Sequence, residues 1–180
     1  EKSNKKIGIA CFNTAWRAYG GDGDYGNLLL GERTVDKCIE DLDDCDFRIA
    51  VAHHPFEYLQ LFERNELKRR VFASFNLWLQ GHTHDPDVNK VQNFQSDTGI
   101  LITGGALYQS RHYYNGYSII KYDFLSKTGE VHLREYFDRS RKFAKANAYG
   151  EGTIQFVLSE IQNPAVPRNL SILSQMRNET

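Results

Sequence analysis

The sequence has few cysteines, and they form no metal-binding or disulfide pattern. Its 180 residues include three, Cys11, Cys38 and Cys45, with no CxxC pair among them. An odd number of thiols without a regular spacing argues against a disulfide-rich secreted domain and favours a reducing compartment. The charged and polar residues 1–6 are not followed by an apolar segment of the length that a secretory signal needs. We therefore expect a cytoplasmic protein.

Long apolar runs and an excess of charge of one sign are also lacking. No stretch approaches the roughly 18 consecutive apolar residues of a transmembrane helix, so we expect no membrane association. The formal net charge is −1, which gives the whole molecule no electrostatic attraction to nucleic acid or anionic lipid. Hydrophobic residues make up 41% of the chain and charged residues 25%, which is typical of a globular domain.

Short apolar segments alternate with amphipathic segments along the chain. We predict strands over residues 7–12, 48–53, 77–80 and 100–103, helices over 32–42 and 65–75, and a hairpin of strands 117–124 and 130–137. This order predicts an α/β protein with mixed β-sheets flanked by helices.

Two histidine elements stand directly after predicted strands. They are His53-His54-Pro55 and Gly81-His82-Thr83-His84. Ligand sites of α/β sheets gather outside the carboxyl ends of the strands, and Gly81 allows the chain to turn there. A single such element is more often structural than functional. The two together predict a metal site, because neutral imidazole is the commonest side-chain ligand of Zn, Fe and Mn.

The segments Ala52-His53-His54-Pro55 and Gly81-His82-Thr83-His84 resemble the last two signature motifs of the calcineurin-like metallophosphoesterase superfamily. They stand in that superfamily's order with a helix between them, and the resemblance covers roughly residues 7–137. It implies an αββα sandwich and hydrolysis of phosphoester bonds at two divalent metal ions (Mn, Fe or Zn). By this resemblance His53 and His82 bind one ion and His84 binds the second.

Three further residues are candidates for binding the phosphoester substrate. His54 either points to the substrate or packs against the sheet. Arg111 and His112 follow the strand after the second histidine element, where an arginine can bind phosphate. The alternative for this segment is ordinary packing of its aromatic residues at the sheet edge. No residue is predicted as a catalytic acid or base.

The earlier motifs of the superfamily (DxH, GD and GNH) have no match here. Asp22-Gly23-Asp24 is not a DxH motif, and Asn13-Thr14-Ala15 is not a GNH motif. We therefore expect residues 1–140 to be the C-terminal part of a metallophosphoesterase domain whose N-terminal half is missing, in a longer chain with other domains. Strand 7–12 or its neighbour should then expose an apolar face. Residues 141–180 are predicted to be an extension or connector.

Two other segments allow alternative interpretations. The loop 20–27 has acidic residues spaced like the first ligands of an EF-hand but lacks its final carboxylate, so we expect a surface loop or a lid over the site. The basic stretch 134–145 carries Tyr136 and Phe143 between its cations, which suits either a solvated face or a phosphate backbone. A non-catalytic protein-binding scaffold and a nuclease therefore remain alternatives to a general phosphoesterase.

Overall fold

The computed structural model of the protein describes residues 4–92, 98–147 and 150–158. They contain two α-helices, α1 (Glu32–Asp41) and α2 (Leu61–Ser74). The strands of the same residues are β1 (Ile7–Phe12), β2 (Phe47–Ala52), β3 (Leu77–His84), β4 (Asp87–Gln92), β5 (Thr98–Gly105), β6 (Gly116–Asp123), β7 (Thr128–Phe137), β8 (Lys142–Lys145) and β9 (Thr153–Val157). Neither described helix is long and apolar enough to cross a membrane.

The first sheet has five strands in the order β1-β2-β3-β5-β4. Strands β1, β2, β3 and β5 are parallel, and β4 pairs antiparallel with β5 at the edge. The parallel strands read as apolar runs because both faces of the central strands are covered. Their carboxyl ends all reach the same edge of the sheet, and the histidine elements lie along that edge.

The second sheet is antiparallel and is built around β7. The hairpin partner β6 pairs with one side of β7, and β8 and β9 pair with its other side. The predicted extension, residues 141–180, thus contributes β8 and β9 to this sheet. Residues 159–180 lie outside the described residues, and the division into two parts stays a prediction.

The first sheet separates two apolar cores. On one face it packs against α1 and α2, and this core includes the side chains Phe12, Val35, Phe56, Leu67, Val71, Phe72 and Trp78. On the other face it packs against the second sheet, and this core includes Phe47, Leu77, Ile100, Ile102, Val131, Leu133 and Phe156. The predicted mixed α/β class is confirmed. Both helices of the described residues pack on the first sheet.

Strand β1 forms one edge of the first sheet and has an exposed apolar row. Ala10 and Phe12 are buried under the helices, whereas Ile7 and Ile9 are 51% and 58% exposed. Register pairs Ile7 with Phe47 and Ile9 with Ile49, so the row continues the face on which the second sheet packs. An apolar face at this strand is the feature that the sequence led us to expect.

Several predicted boundaries differ from the structure. Helix α2 begins at Leu61 instead of residue 65, and β3 continues through the second histidine element to His84. Strands β4, β8 and β9 were not predicted. The hairpin of β6 and β7 is present in the predicted place.

Candidate metal centre

The candidate metal centre lies at the carboxyl ends of β1, β2, β3 and β5. Thr14 follows β1, His53 and His54 follow β2, and His82 lies near the end of β3. The backbone N–H of Gly81 donates to the carbonyl of His53 at 3.0 Å, which joins the ends of β2 and β3. The parallel arrangement thus brings together side chains that are about 30 positions apart in sequence.

The imidazoles of His53, His54 and His82 form a compact group, in which one ring nitrogen from each lies within 4.8 Å of the others. The closest pair is His82 Nδ1 and His53 Nε2, at 3.1 Å. The ring centroids of His54 and His82 are 4.6 Å apart. We refer to these three residues as the histidine group.

Residues His82 and His84 have an unusual backbone conformation. Their φ angles are +69° and +60°, in the left-handed region that non-glycine residues rarely occupy. Gly81, expected to provide the turn, does not have a positive φ. The register of β3 against β5 shifts between Gln80 and His84, so the strand bends at these histidines. Backbone strain of this kind is concentrated at functional sites.

Thr14 fixes the orientation of the His54 ring. Its hydroxyl oxygen lies 2.9 Å from His54 Nδ1 and also accepts the backbone N–H of His54 at 3.2 Å. Thr14 and His54 are only 2% and 4% exposed. With Nδ1 engaged by the hydroxyl, Nε2 is the nitrogen that His54 can offer to an ion, and a polar partner of this kind orients a metal-binding histidine.

The loop 20–27 is anchored beside the histidine group by the buried carboxylate of Asp24. This carboxylate accepts backbone N–H groups of Tyr19 at 2.9 Å and Gly20 at 2.8 Å. The pKa of Asp24 is held below its usual range, mainly by the hydrogen bond from Tyr19. The hydrogen bond from Gly20 and the positive charge of protonated His54 and His82 lower it further. Asp24 therefore places a negative charge near the imidazoles.

Two members of the histidine group, His54 and His82, have a lowered pKa, which favours the neutral form that binds metals. Burial lowers the pKa of His54, and repulsion from the charged forms of His53 and His82 lowers it further. Burial likewise lowers the pKa of His82, with contributions from His53 and His84. The Tyr58 ring covers the group, with its centroid 4.5 Å from that of His82. Metal ligation requires deprotonated imidazole, so these shifts favour it.

His84 lies outside the histidine group. Its Nδ1 is 2.8 Å from the side-chain oxygen of Gln109, in the loop after β5. Arg111 and His112 are exposed in the same loop, close in sequence to the residue that contacts His84. The roles of His53, His82 and His84 as ligands, and of His54, Arg111 and His112 in substrate binding, stay predictions.

The histidine group suits a divalent metal ion in donor type and spacing. Two ligands of a tetrahedral zinc ion at about 2.0–2.1 Å are separated by about 3.3 Å, close to the 3.1 Å between the His53 and His82 nitrogens. Three protein nitrogens leave a position of such an ion open to water or substrate. The fold and the site thus define a mixed α/β protein with a three-histidine candidate metal centre at the carboxyl edge of its parallel strands.

The solved structures that are similar to this chain include the following two. One is a conserved uncharacterized protein from Streptococcus pneumoniae TIGR4, described as a predicted phosphoesterase, with 8% identity, a TM-score of 0.34, and 82% of this chain and 95% of that chain covered. The other is a single mutant of Vps29 from Entamoeba histolytica, with 8% identity, a TM-score of 0.34, and 82% and 98% covered. No protein-family model and no curated protein matches the sequence. The function is therefore inferred from the residues of this chain.

Thr14 and Asp24 are parts of this site that the sequence did not predict. Thr14 could have been found, because it follows the carboxyl end of a predicted strand, as the histidines do. Asp24 carried no such signal, since its position depends on how a loop of several residues folds back on the sheet.

Proposed function

We propose that this chain supplies histidine ligands to the metal centre of a phosphoesterase of the calcineurin-like superfamily, which hydrolyses phosphoester bonds with two divalent ions. The observation that carries the proposal is the convergence of the His53, His54 and His82 nitrogens within 4.8 Å. The motif resemblance supports the reaction class, because two of the three ligands that it implies, His53 and His82, are among the residues that converge. The free thiols of Cys11, Cys38 and Cys45 support a cytoplasmic location.

The residues of the site divide between holding an ion and orienting its ligands. His53 and His82 hold the ion, His54 adds a third nitrogen, and Thr14 orients the His54 ring. Gln109 orients His84, the proposed ligand of the second ion. A divalent ion bound there would polarise a phosphoryl oxygen and lower the pKa of a bound water toward about 7.

The described residues offer imidazoles at the site and no carboxylate that bridges two ions. The only group of three or more potential ligands among them is the histidine group. Both oxygens of the nearby Asp24 carboxylate already accept backbone N–H groups. We therefore propose that residues 1–180 bind one ion and that the second ion requires ligands beyond those described.

Metal content after desalting tests the proposal. Wild-type protein incubated with Zn²⁺ and passed through a desalting column should retain about one ion per chain, and His82→Ala should retain much less. His132→Ala is the matched control, because His132 lies in the second sheet beside Glu130, at 3.0 Å, and should not affect retention. Equal retention in wild type and His82→Ala would contradict the proposal.

A protein-binding scaffold is the second candidate function. The observation that favours it is the exposed apolar row of Ile7 and Ile9 on β1. A scaffold does not need a metal ion. Two results together would therefore support this function over hydrolysis: the wild type retains no Zn²⁺, and the Ile9→Lys variant no longer binds a protein that the wild type binds.

A further inference from the structure

The outer face of the second sheet carries a continuous cluster of aromatic rings. Tyr117 of β6 and Tyr136 of β7 each lie 5.1 Å, centroid to centroid, from Phe143 of β8. Tyr108, from the loop after β5, lies 5.8 Å from Tyr136. These four residues, Tyr108, Tyr117, Tyr136 and Phe143, are named the aromatic face.

The aromatic face is open to solvent. Tyr108 is 58% exposed, Tyr117 39% and Phe143 38%. On β7, Val131 and Leu133 point into the core between the two sheets, whereas the even-numbered Tyr136 points to the other side of the strand. The aromatic face therefore lies on the side of the second sheet opposite to the core. No described element covers it. Contiguous exposed apolar surface on a folded protein marks an interaction site.

Cations lie among the rings of the aromatic face. The register places Arg134 directly between Tyr117 on β6 and Lys145 on β8. Lys145 is exposed, and Arg139 and Arg141 are exposed in the β7–β8 turn. Acidic residues are present as well: Glu130 lies 3.0 Å from His132 toward the other end of β7, Glu135 stands between Arg134 and Tyr136 in β7, and Asp138 lies in the turn. The cations outnumber the acidic residues near the rings, although the net charge of the chain is −1.

The loop 106–115 connects the aromatic face to the candidate metal centre. Tyr108 contacts Tyr136, and its neighbour Gln109 contacts His84 at 2.8 Å. The loop is held by the buried Asn115, whose side-chain amide donates to the carbonyls of Ser110 at 2.6 Å and Tyr113 at 3.0 Å. The loop thus links the aromatic face to His84, two positions after His82 in β3.

We propose that the aromatic face binds single-stranded nucleic acid. Exposed rings on a sheet, interspersed with cations, are the features that stack unpaired bases and neutralise the phosphates between them. A duplex buries the faces of its bases, so it cannot use the rings. A strand bound there would present its phosphodiesters to the neighbouring histidines. Nucleic acid as the substrate class of the metal centre rests on the proposed function.

Fluorescence anisotropy with a 5′-labelled oligothymidylate of about 15 nucleotides tests this inference, with the protein in EDTA. The wild type should bind the single strand more tightly than a blunt duplex of the same length. Phe143→Ala should weaken binding about tenfold and Phe143→Trp should preserve it, because stacking on one ring contributes about that much. Phe62→Ala is the matched control, since Phe62 is a 73% exposed phenylalanine on α2.

The charge contribution is measured separately by the dependence of binding on salt. Lys145→Gln should reduce the slope of log affinity against log salt by about 0.7, the value expected for the loss of one contact to a single-strand phosphate. Lys37→Gln on α1 should leave the slope unchanged. Circular dichroism confirms that each variant is folded.

Three outcomes would overturn the inference. One is the absence of oligothymidylate binding by the wild type. The second is equal affinity for duplex and single strand with no effect of Phe143→Ala, which indicates attraction of any polyanion. The third is self-association that Phe143→Ala removes in a protein that binds no oligonucleotide, which identifies the face as a contact between copies of the chain. Because EDTA removes the metal from the measurement, failure of oligonucleotide binding and failure of metal retention are independent results.

Discussion

The positive φ angles of His82 and His84 are the clearest sign at the residue scale that the site has a function. A non-glycine residue in the left-handed region costs about 1–2 kcal/mol. Two such residues separated only by Thr83 place that cost in one turn. The bend of β3 that they produce places His82 against His53 and His84 beside Gln109.

The backbone strain can be measured by glycine substitution. His84→Gly removes the strain at a φ of +60°, whereas Thr83→Gly adds only flexibility at a position without positive φ. We predict that His84→Gly is more stable than Thr83→Gly by about 1 kcal/mol in urea unfolding of the metal-free protein. Equal destabilisation by the two variants would show that the turn is not strained.

Thr14 should affect metal affinity through His54. Removal of a residue that orients a metal-binding histidine typically weakens affinity about 10- to 100-fold. We predict a loss of this size for Thr14→Ala in calorimetric titration with Zn²⁺, and near wild-type affinity for Thr14→Ser, which keeps the hydroxyl. An unchanged affinity in Thr14→Ala would contradict the orienting role of Thr14.

The lowered pKa values of His54 and His82 predict how the stability of the metal-free protein depends on pH. Because each pKa is lower in the folded state, the unfolded chain binds protons first as the pH falls below the ordinary value of about 6.5. Stability is therefore full above about 6.5 and decreases as the pH falls through the lowered values. Thermal unfolding in EDTA from pH 8 to 5 measures this decrease, which His54→Gln should reduce. A melting temperature that is constant over this range contradicts the assigned burial.

At the scale of secondary-structure elements, the parallel strands and the hairpin of β6 and β7 were predictable, whereas β4, β8 and β9 were not. Strand β4 was missed because its valines, Val88 and Val91, are three positions apart and face opposite cores. This spacing breaks the two-residue alternation by which strands are recognised. The predicted start of helix α2 was too late, because its first residues do not follow the apolar periodicity. These residues, Leu61 and Phe62, are 67% and 73% exposed.

The candidate site was predictable only as far as strand ends determine it. The meeting of His53 and His82 follows from the rule that ligand sites gather at the carboxyl ends of neighbouring parallel strands. His54 lies beside them and His84 lies outside the histidine group. Both positions depend on how the chain turns at the end of β2 and at the end of β3. These turns are set by Thr14 and by the bend of β3, which no local pattern predicts.

The exposed edge of β1 should promote self-association. Edge strands with apolar side chains pair with other chains, and natural proteins often prevent this with lysine. We predict that Ile9→Lys shifts the protein toward the monomer in sedimentation velocity at high concentration. Ile119→Lys on the outer face of β6 is the comparison, since Ile119 is also exposed, at 43%, but not on this edge strand. An equal effect of both variants would show that general surface hydrophobicity, and not the edge, controls association.

At the scale of the whole molecule, two surfaces face solvent: the carboxyl edge with its histidines and the outer face of the second sheet with its rings and cations. The local charge of the second surface is hidden in a net charge of −1, because acidic residues are concentrated elsewhere, in and after α1. Composition alone therefore did not favour nucleic acid, and the proposed binding of a single strand rests on the placement of Arg134 and Lys145 beside the aromatic rings.

The metal ligands and proton donors that the described residues place at the site predict little catalytic activity. Loss of one essential electrostatic or proton-transfer group typically reduces a rate about 10²–10⁴-fold, and the described site has neither a bridging carboxylate nor an assigned general acid. We predict no detectable Mn²⁺-dependent hydrolysis of bis(p-nitrophenyl) phosphate by residues 1–180. Measurable turnover that His82→Ala abolishes would show that the described residues suffice for catalysis.

Nitrogen NMR of the histidine rings during titration with Zn²⁺ tests the central claim most directly, because it observes each of the six histidines separately. We predict that the ring nitrogens of His53, His54 and His82 shift together and saturate at one ion per chain, with His54 bound through Nε2. His112 and His132 should not shift at that ratio. A titration in which His53 and His82 do not respond to one equivalent of Zn²⁺ would contradict the existence of the metal centre.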